Sequence, residues 1–276
     1  MFNVKGNSHP YCRSCDAKEG LGLVLSYSTK PNTILNTLGG KGLIFGFENE
    51  MSFKSGTNVS RVTGEILSKF PFSVLYAKSD SSVWNGNEFI SHPMTKCFFD
   101  KTSWEGLFSH GLCLPAKEVK LAHDHFTGMH VHLAKSCFTT HHMYKYINFL
   151  YANTAYVELI GERPLNHYCS NFANYQEVKS SSKTKQTRNR GFINMMGSNK
   201  GATMELRFFN GTHTEEMLRK NIEFVCALYQ FTLVSSRLDS SNINLFEDFV
   251  KKHKYEYRNL CKFLFGDKVK FPTKKS

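Results

Sequence analysis

Alternation of apolar and polar side chains predicts several β-strands along this chain. The clearest run is residues 42–53, where aromatic and aliphatic side chains alternate with polar ones. At a strand period of two residues, Glu48 and Glu50 point to one face, about 7 Å apart. On the concave face of a sheet, two such carboxylates would repel each other unless a cation lay between them. The pair is therefore a candidate metal site, and a solvated open face is the alternative.

Two further alternating runs add polar side chains of similar kinds. In the first, His130 and His132 share a strand face, which indicates a metal or phosphate contact or, alternatively, a structural hydrogen-bonding pair. In the second, Glu205 and Arg207 share a face, with a simple ion pair as the alternative. The corresponding strands are residues 126–133 and 203–209, and a shorter strand is expected over residues 191–197, which include Asn194.

A β-hairpin is expected in the first third of the chain. Residues 72–80 have the pattern of a strand that runs into a polar turn, and residues 83–93 contain Asn85-Gly86, a strong turn signal. The hairpin would present Asp80 near its start and Glu88 on its return strand. Both carboxylates are candidate metal ligands, and a turn or rim position is the alternative for each.

Apolar side chains at helical spacing predict helices between and after these strands. A capping box at residues 212–215 marks the start of one of them. The polar stretch over residues 164–190 is much longer than an ordinary connection and predicts a loop, either a lid or a mobile segment. The expected helices are residues 59–70, 95–110, 139–160, 212–233, 244–252 and 255–265.

The length and composition fit a protein with a sizeable core and no membrane span. The chain has 276 residues, enough for one large domain or two small ones. No run reaches the roughly 18 apolar residues of a transmembrane helix, and residues 1–9 lack the apolar core of a signal peptide. We therefore expect a cytoplasmic protein, in which the eight cysteines are reduced.

The formal net charge of +12 is concentrated at the ends of the chain and in one loop. Residues 179–190 carry five basic side chains and no acidic one, and residues 251–276 carry nine basic against two acidic. Because the rest of the chain is close to neutral, this basicity favours a solvated surface, with nucleic acid as an alternative partner.

A CxxC motif lies near the start of the chain. Cys12 and Cys15 could place two thiolates on one Zn²⁺, with His9 as a third ligand. A closed structural zinc site needs four ligands and the chain has no second CxxC, so an ordinary surface turn is the alternative.

Taken together, the acidic, histidine and arginine side chains form a hard, oxygen-rich donor set that suits Mg²⁺ or Mn²⁺ better than zinc. In their order along residues 42–235 they resemble the amidoligase family, a branch of the glutamine synthetase and glutamate–cysteine ligase superfamily found in bacteriophages and bacteria. The motifs that carry this resemblance are Gly46-Phe-Glu48-Asn-Glu50, Lys78-Ser-Asp80 through Glu88-Phe-Ile-Ser91-His-Pro93, Gly128-Met-His130-Val-His132, Arg163 with Tyr168-Cys169, Arg190 with Asn194, and Glu205-Leu-Arg207 through Gly211-Thr212.

The resemblance implies a role for each of these residues. Arg207 would face the acyl phosphate or the carboxylate substrate, and Glu50 and Asp80 would also belong to the catalytic group, although Ser81-Ser82 replaces the Asp-Gly-Ser that family members often have after Asp80. ATP and its phosphates would be contacted or supported by Arg163, Arg190, His132 and Asn194. The metal ligands would be Glu48, Glu50, Glu88, His130 and Glu205.

The resemblance also implies an α+β fold with a curved antiparallel β-sheet and helices on its outer face. The concave face would form a funnel for ATP and substrate. The catalytic domain would span residues 39–240, after an irregular segment at residues 1–38 and before C-terminal helices and a basic tail at residues 241–276.

The implied reaction is ATP- and Mg²⁺-dependent amide formation between a carboxylate and an amine, through an acyl phosphate. The substrates would be amino acids, peptides, cell-wall components or protein side chains. One alternative is a degenerate ligase fold that binds nucleic acid or protein, although the acidic set is complete. Another is a metal-dependent phosphohydrolase that uses water as the acceptor.

Overall fold

The computed structural model describes residues 24–26, 42–108, 127–165, 175–185, 191–195, 202–266 and 269. At its centre is one open, mostly antiparallel sheet of eight strands, so the chain has a mixed architecture of sheet and helices, as predicted. The strands are β1 (Val24–Leu25), β2 (Ile44–Ser52), β3 (Leu75–Lys78), β4 (Gly86–Ser91), β5 (Met94–Thr95), β6 (Gly128–Ala134), β7 (Ile193–Asn194) and β8 (Thr203–Asn210).

The order of the strands across the sheet is β1-β3-β4-β2-β6-β8-β7. All of these neighbours are antiparallel except β1 and β3. Strand β5 also pairs with β2, beyond a break at His92 and Pro93, so β4 and β5 together flank most of β2 on one side. Strand β2 is therefore central, and β6 flanks it on the other side.

Nine helices accompany the sheet in the part of the chain that is described. They are α1 (Val59–Leu67), α2 (Lys96–Lys101), α3 (Glu105–Phe108), α4 (Thr140–Ala152), α5 (Thr154–Gly161), α6 (Tyr175–Thr184), α7 (Glu215–Val234), α8 (Ile243–Lys252) and α9 (Arg258–Phe265). None of these helices is both long and apolar enough to cross a membrane.

One face of the sheet packs against the helices. The ring of Phe47 lies 5.1 Å from that of Trp104, and the ring of Phe45 lies 5.8 Å from that of Phe99 in α2. Aromatic pairs at this separation stabilise the fold by more than their buried area alone accounts for. Because neighbouring residues of a strand alternate in direction, the even-numbered residues of β2 point to the opposite face, where Glu48 lies.

Several predicted elements are confirmed. The hairpin of β3 and β4 is present, with Asn85 in a left-handed conformation (φ 48°) just before Gly86. Strands β2, β6 and β8 coincide with the three alternating runs, and α1 with the helix predicted before Pro71. The two C-terminal helices are also present, although α9 begins three residues later than expected.

The long helix predicted over residues 139–160 is wrong, since it is two helices. Asn153 leaves the helical region (φ −127°, ψ 47°) between α4 and α5. Its side-chain amide donates hydrogen bonds to the carbonyl oxygens of Phe149, at 2.8 Å, and Ser241, at 3.0 Å. Asparagine competes with helical hydrogen bonding in this way, which explains a break that apolar spacing does not reveal.

Three smaller predictions also need correction. The loop predicted over residues 164–190 contains α6, whose polar composition has no apolar stripe to reveal it. The helix predicted over residues 95–110 is the pair α2 and α3 as far as it is described. Residues 24 and 25, expected to be irregular, add β1 to the edge of the sheet.

The cap of α7 is Thr214 and not Thr212. The Thr214 hydroxyl accepts a hydrogen bond from the amide of Met217 at 3.1 Å, as an N-cap does. Thr212 instead donates its backbone amide and its hydroxyl to the side-chain oxygen of Asn49 in β2, at 3.0 and 2.9 Å. This buried pair fixes the connection between β8 and α7 to the central strand.

Candidate functional site

The face of the sheet opposite the core helices bears a cluster of charged and polar side chains, and we call it the polar face. Its side chains come from six neighbouring strands and meet because the strands are in register. They form three rows of residues that lie directly opposite one another: Asn194, Glu205 and His132; His130 and Glu48; Glu50, Glu88 and Lys78.

Glu48 lies between the two histidines of β6. Its Oε2 is 3.5 Å from Nδ1 of His130, and its Oε1 is 3.2 Å from Nε2 of His132. Nδ1 of His130 is also 3.6 Å from Oε1 of Glu205. Each oxygen of the Glu48 carboxylate therefore faces a different imidazole.

Two groups of three side chains bring their donor atoms within 4.8 Å of one another. We call Glu48, His132 and Glu205 the first triad, and Glu48, Glu88 and His130 the second triad. Such spacing suits a single metal ion in each triad, and Glu48 is common to both. A carboxylate with one oxygen directed to each group is a common way to bridge two neighbouring cations.

Glu205 is held from two sides. The side-chain amide of Asn194 donates to its Oε2 at 2.8 Å, and the guanidinium of Arg207 donates to its Oε1. Glu205 is almost fully buried, at 1% exposure, so these donors fix the direction of the carboxylate. The ion pair between Glu205 and Arg207, given above as the alternative to a functional site, is present. Because Glu205 also belongs to the first triad, the ion pair and a role in the site are compatible.

Glu50 belongs to neither triad. Its Oε2 accepts a hydrogen bond from the backbone amide of Gly128 at 2.7 Å. A β-carbon at position 128 would collide with the guanidinium of Arg163, which places that arginine against the start of β6, near His130. Glu50 and Arg163 thus share one corner of the polar face.

The electrostatics of two central carboxylates, Glu48 and Glu88, differ. Burial alone would raise the pKa of Glu48, but the charge of His132 and hydrogen bonds with His130 and His132 hold it well below its usual range. Burial raises the pKa of Glu88 to about 9, with the charges of Glu48, Glu50 and Asp80 acting in the same direction and Lys78 opposing them. Without a cation, Glu88 is therefore protonated at neutral pH.

Two residues of the polar face received no role from the sequence. Lys78 is buried directly opposite Glu88, with its ammonium 5.9 Å from the ring centre of Tyr76. Burial raises the pKa of Tyr76, and the charges of Glu48 and Glu88 act in the same direction. Alternation within β3 could have placed both on this face only if the register of the hairpin had been known.

The buried arginines have hydrogen-bonding capacity to spare. Among the described residues, the Nε atoms of Arg163 and Arg207 have no hydrogen-bond partner although both are buried. Buried donors are normally satisfied, so an anionic group bound at either guanidinium would complete its hydrogen bonding.

Each remaining predicted site residue is either outside both triads or outside the described residues. Asp80 shapes the turn of the hairpin, where its Oδ1 accepts hydrogen bonds from the amide and the hydroxyl of Ser82, both at 2.8 Å. Among the described residues it belongs to neither triad. Arg190, Cys12 and Cys15 lie outside the described residues, so the phosphate contact and the zinc site stay predictions.

The comparisons with known proteins add no relative to this picture. No protein-family model matches the chain, and no curated protein matches it. The resemblance to the amidoligase family therefore stays a prediction that depends on the motifs themselves.

Proposed function

We propose that the polar face binds two divalent cations and that the protein uses them with ATP to join a carboxylate to an amine through an acyl phosphate. The observation that carries this proposal is the pair of triads that share Glu48. The curved sheet and the funnel that the amidoligase resemblance implies belong to the same proposal.

The donor set fits divalent cations of intermediate hardness. Each triad offers two carboxylates and one imidazole. Carboxylates suit Mg²⁺ and Mn²⁺, whereas imidazole favours transition metals, so the mixture favours Mn²⁺ over Mg²⁺. The clustering of Glu48, Glu50 and Glu88, which raises the pKa of Glu88, is the arrangement that a cation relieves.

The ligands follow from the triads. Glu48, His132 and Glu205 would hold one cation, and Glu48, Glu88 and His130 the other. When bound, such ions neutralise phosphate oxygens during phosphoryl transfer. Compared with the sequence prediction, His132 takes the place of Glu50 among the ligands.

The chain's own cations would bind the anionic groups. Arg207 is held by Glu205 and keeps its Nε available for a phosphate or a substrate carboxylate. Arg163 offers a second buried guanidinium beside Gly128, and Lys78 a buried ammonium on the far side of Glu88. Arginine suits the acyl phosphate because its planar fork binds two oxygens at once.

Cation binding is the first test. Titration of the purified protein with Mn²⁺, followed by calorimetry and by thermal stability, should reveal two bound ions. Glu48→Gln should lose both, because it removes the donor that the triads share. Glu65→Gln, a surface carboxylate on α1 paired with Arg61 at 3.6 Å, is the matched control and should bind Mn²⁺ as the wild type does. Retention of two ions by Glu48→Gln would contradict the proposal.

Turnover tests the reaction. Phosphate release from ATP, measured with Mn²⁺ across pools of carboxylates and amines, should depend on an amine and should be lost in Glu48→Gln and in Arg207→Ala. Release that needs no amine would favour the phosphohydrolase. If the protein binds two ions but does not turn over ATP, the proposed metal site is supported and the proposed ligase activity is contradicted.

A further inference from the structure

A second chemically distinct surface lies far along the chain, where α8 meets α9. We call it the α8–α9 corner and define it by its exposed or partly exposed side chains: Lys251, Lys252, Lys254, Tyr255, Arg258, Lys262 and Phe263. None of these residues belongs to the polar face, and the proposed reaction gives them no role.

The α8–α9 corner is strongly basic over a short distance. Residues 251–262 contain five lysines and arginines and one acidic residue, Glu256. Lys251 forms an ion pair with Asp248 at 3.2 Å, while no ion pair is found for Lys252 or Lys262 within the described residues. Lys252 and Lys262, both exposed, therefore present positive charge to solvent. The sequence continues the trend, with four more lysines between residues 268 and 275.

Aromatic rings lie among these cations. Tyr255 is 67% exposed and Phe263 is 38% exposed, which is unusual for large aromatic side chains. The ammonium of Lys254 lies 5.4 Å from the ring centre of Tyr255, and that of Lys251 lies 4.7 Å from that of Phe265. The surface thus combines positive charge with exposed stacking groups.

The turn that presents Tyr255 is anchored by hydrogen bonds and packing. Tyr257 is buried, and its backbone amide donates to the carbonyl oxygen of His253 at 3.1 Å. The Lys96 ammonium of α2 donates to the carbonyl oxygen of Glu256 at 3.1 Å and lies 5.5 Å from the ring centre of Tyr257. Because this scaffold holds the turn, the protein would lose little conformational entropy when a partner binds.

The N-terminus of α9 is fixed as well. Glu223 of α7 accepts hydrogen bonds from the amide of Leu260 at 2.8 Å and from the side chain of Asn259 at 2.6 Å. The apolar faces of both helices are packed into the core through Phe246, Val250 and Leu260. These helices consequently keep no broad apolar face for insertion into a lipid bilayer.

We propose that the α8–α9 corner binds single-stranded nucleic acid. The lysines and the arginine would contact the phosphates, and Tyr255 and Phe263 would stack on unpaired bases. Basic grooves with exposed aromatic rings are the general solution for strands whose bases are free, whereas the bases of a duplex are stacked on each other. The site is separate from the metal centre, so the binding goes beyond the proposed ligase activity and does not depend on it.

The experiment measures the anisotropy of a fluorescent deoxythymidine oligonucleotide of about 20 nucleotides, at about 50 to 200 mM salt. The double variant Lys252→Glu/Lys262→Glu should weaken binding at least tenfold and should flatten the dependence of log K on log salt by about 1.4, since each lost phosphate contact removes about 0.7. Lys54→Glu/Lys101→Glu changes the net charge equally at exposed lysines outside the corner and should bind almost as the wild type does.

A second pair of variants tests the stacking. Tyr255→Ala should weaken binding at least fivefold, while Tyr255→Phe, which keeps the ring, should not. Thermal unfolding of every variant checks that the fold is retained. A matched duplex should bind more weakly than the single strand.

Three outcomes would overturn the proposal. The first is no binding by the wild type at low salt, and the second is an equal loss in the control double variant, which would indicate general charge attraction only. The third is binding to vesicles of phosphatidylserine and phosphatidylcholine without binding to the oligonucleotide, which would make the corner a membrane contact. Because no metal is needed in this assay, its result is independent of the ligase test.

Discussion

Glu48 is the residue on which the polar face depends, because its two carboxylate oxygens face different histidines, at 3.5 and 3.2 Å. The neighbouring carboxylates have distinct surroundings: Glu205 has two fixed donors, Glu50 has a backbone amide, and Glu88 lies opposite Lys78. Similar acids on similar strands therefore acquire different hydrogen-bond partners and different directions. The side chains that orient them are as informative as the acids themselves.

Asn194→Leu tests this orientation at the level of one residue. The substitution removes the hydrogen bond to Oε2 of Glu205 while keeping a side chain of similar size. Loss of a partner that orients a metal ligand typically costs about 10- to 100-fold in metal affinity. We therefore expect Mn²⁺ binding by the triad that contains Glu205 to weaken about tenfold, as measured by calorimetry.

The matched control is Asn153→Leu. That amide also donates two hydrogen bonds, but it lies between α4 and α5, away from the polar face. It should lower the free energy of unfolding and leave Mn²⁺ affinity unchanged. Equal Mn²⁺ affinity in Asn194→Leu and the wild type would mean that Asn194 does not orient a ligand.

At the scale of elements, the sequence predicts the strands well because alternation is a local property. The faces of Glu48, His130 and Glu205 follow directly from it. The register between strands does not follow from alternation, since it depends on which residues of two strands lie opposite each other. A bulge near His130 also shifts the register between β6 and β8. The amidoligase resemblance placed Glu50 among the metal ligands, whereas the triads contain His132.

Helix ends were harder to predict than helix faces. Asn153 breaks a continuous apolar stripe. The prediction assigned the N-cap of α7 to Thr212 instead of Thr214, because both threonines lie in the same short segment. Helix α6 has no stripe at all, so its sequence resembles a polar loop. For Asn153 and Thr212 the outcome is set by hydrogen bonds to distant residues, Ser241 and Asn49, which local patterns do not contain.

Glu223→Ala tests how one helix depends on another. No side chain of the preceding residues caps α9, and Glu223 of α7 supplies the acceptors instead. Burial raises the pKa of this carboxyl, and hydrogen bonds with Leu260 and Asn259 act against that rise. Because the alanine leaves the amide of Leu260 without its acceptor, we expect a loss of about 1–2 kcal/mol in the free energy of unfolding.

Urea unfolding and hydrogen exchange measure this effect. The amides at the start of α9 should exchange faster in Glu223→Ala, since the helix end loses its cap. Glu216→Ala, an exposed carboxyl in the first turn of α7, is the control and should change the unfolding free energy by less than about 0.5 kcal/mol. Equal stability of Glu223→Ala and Glu216→Ala would show that the cap contributes nothing.

The whole molecule separates its charges in space. Carboxylates cluster on the polar face of the sheet and basic side chains cluster at the α8–α9 corner, so a net charge of +12 coexists with an acidic site. Two of the buried histidines, His92 and His142, lie in different parts of the structure and have lowered pKa values. Burial lowers the pKa of His92, beside Tyr76, to about 4, and a hydrogen bond with the backbone of Phe72 opposes this.

His142 has the same property between helices α4 and α7. Its Nε2 donates to the carbonyl oxygen of Tyr229 at 3.0 Å and lies 3.1 Å from the hydroxyl of Thr232. Burial lowers its pKa to about 4; the hydrogen bond with Tyr229 opposes this, and the charges of Lys145 and His141 add to it. The folded protein therefore keeps His142 neutral at a pH where the unfolded chain, with a pKa of about 6.5, is already protonated.

Acid should consequently weaken the whole fold. The stability that neutral His142 provides is complete above about pH 6.5 and is lost as the pH falls towards 4, because only the unfolded chain takes up the proton in that range. Between about pH 7.5 and pH 5 this amounts to about 2 kcal/mol. His142→Gln cannot take up the proton, so its free energy of unfolding in urea should fall by about 2 kcal/mol less than that of the wild type over the same range. The difference between the two proteins cancels the titration of every other group, including the carboxylates of the polar face. Parallel pH profiles would mean that other groups cause the loss of stability in acid and that protonation of His142 does not destabilise the fold.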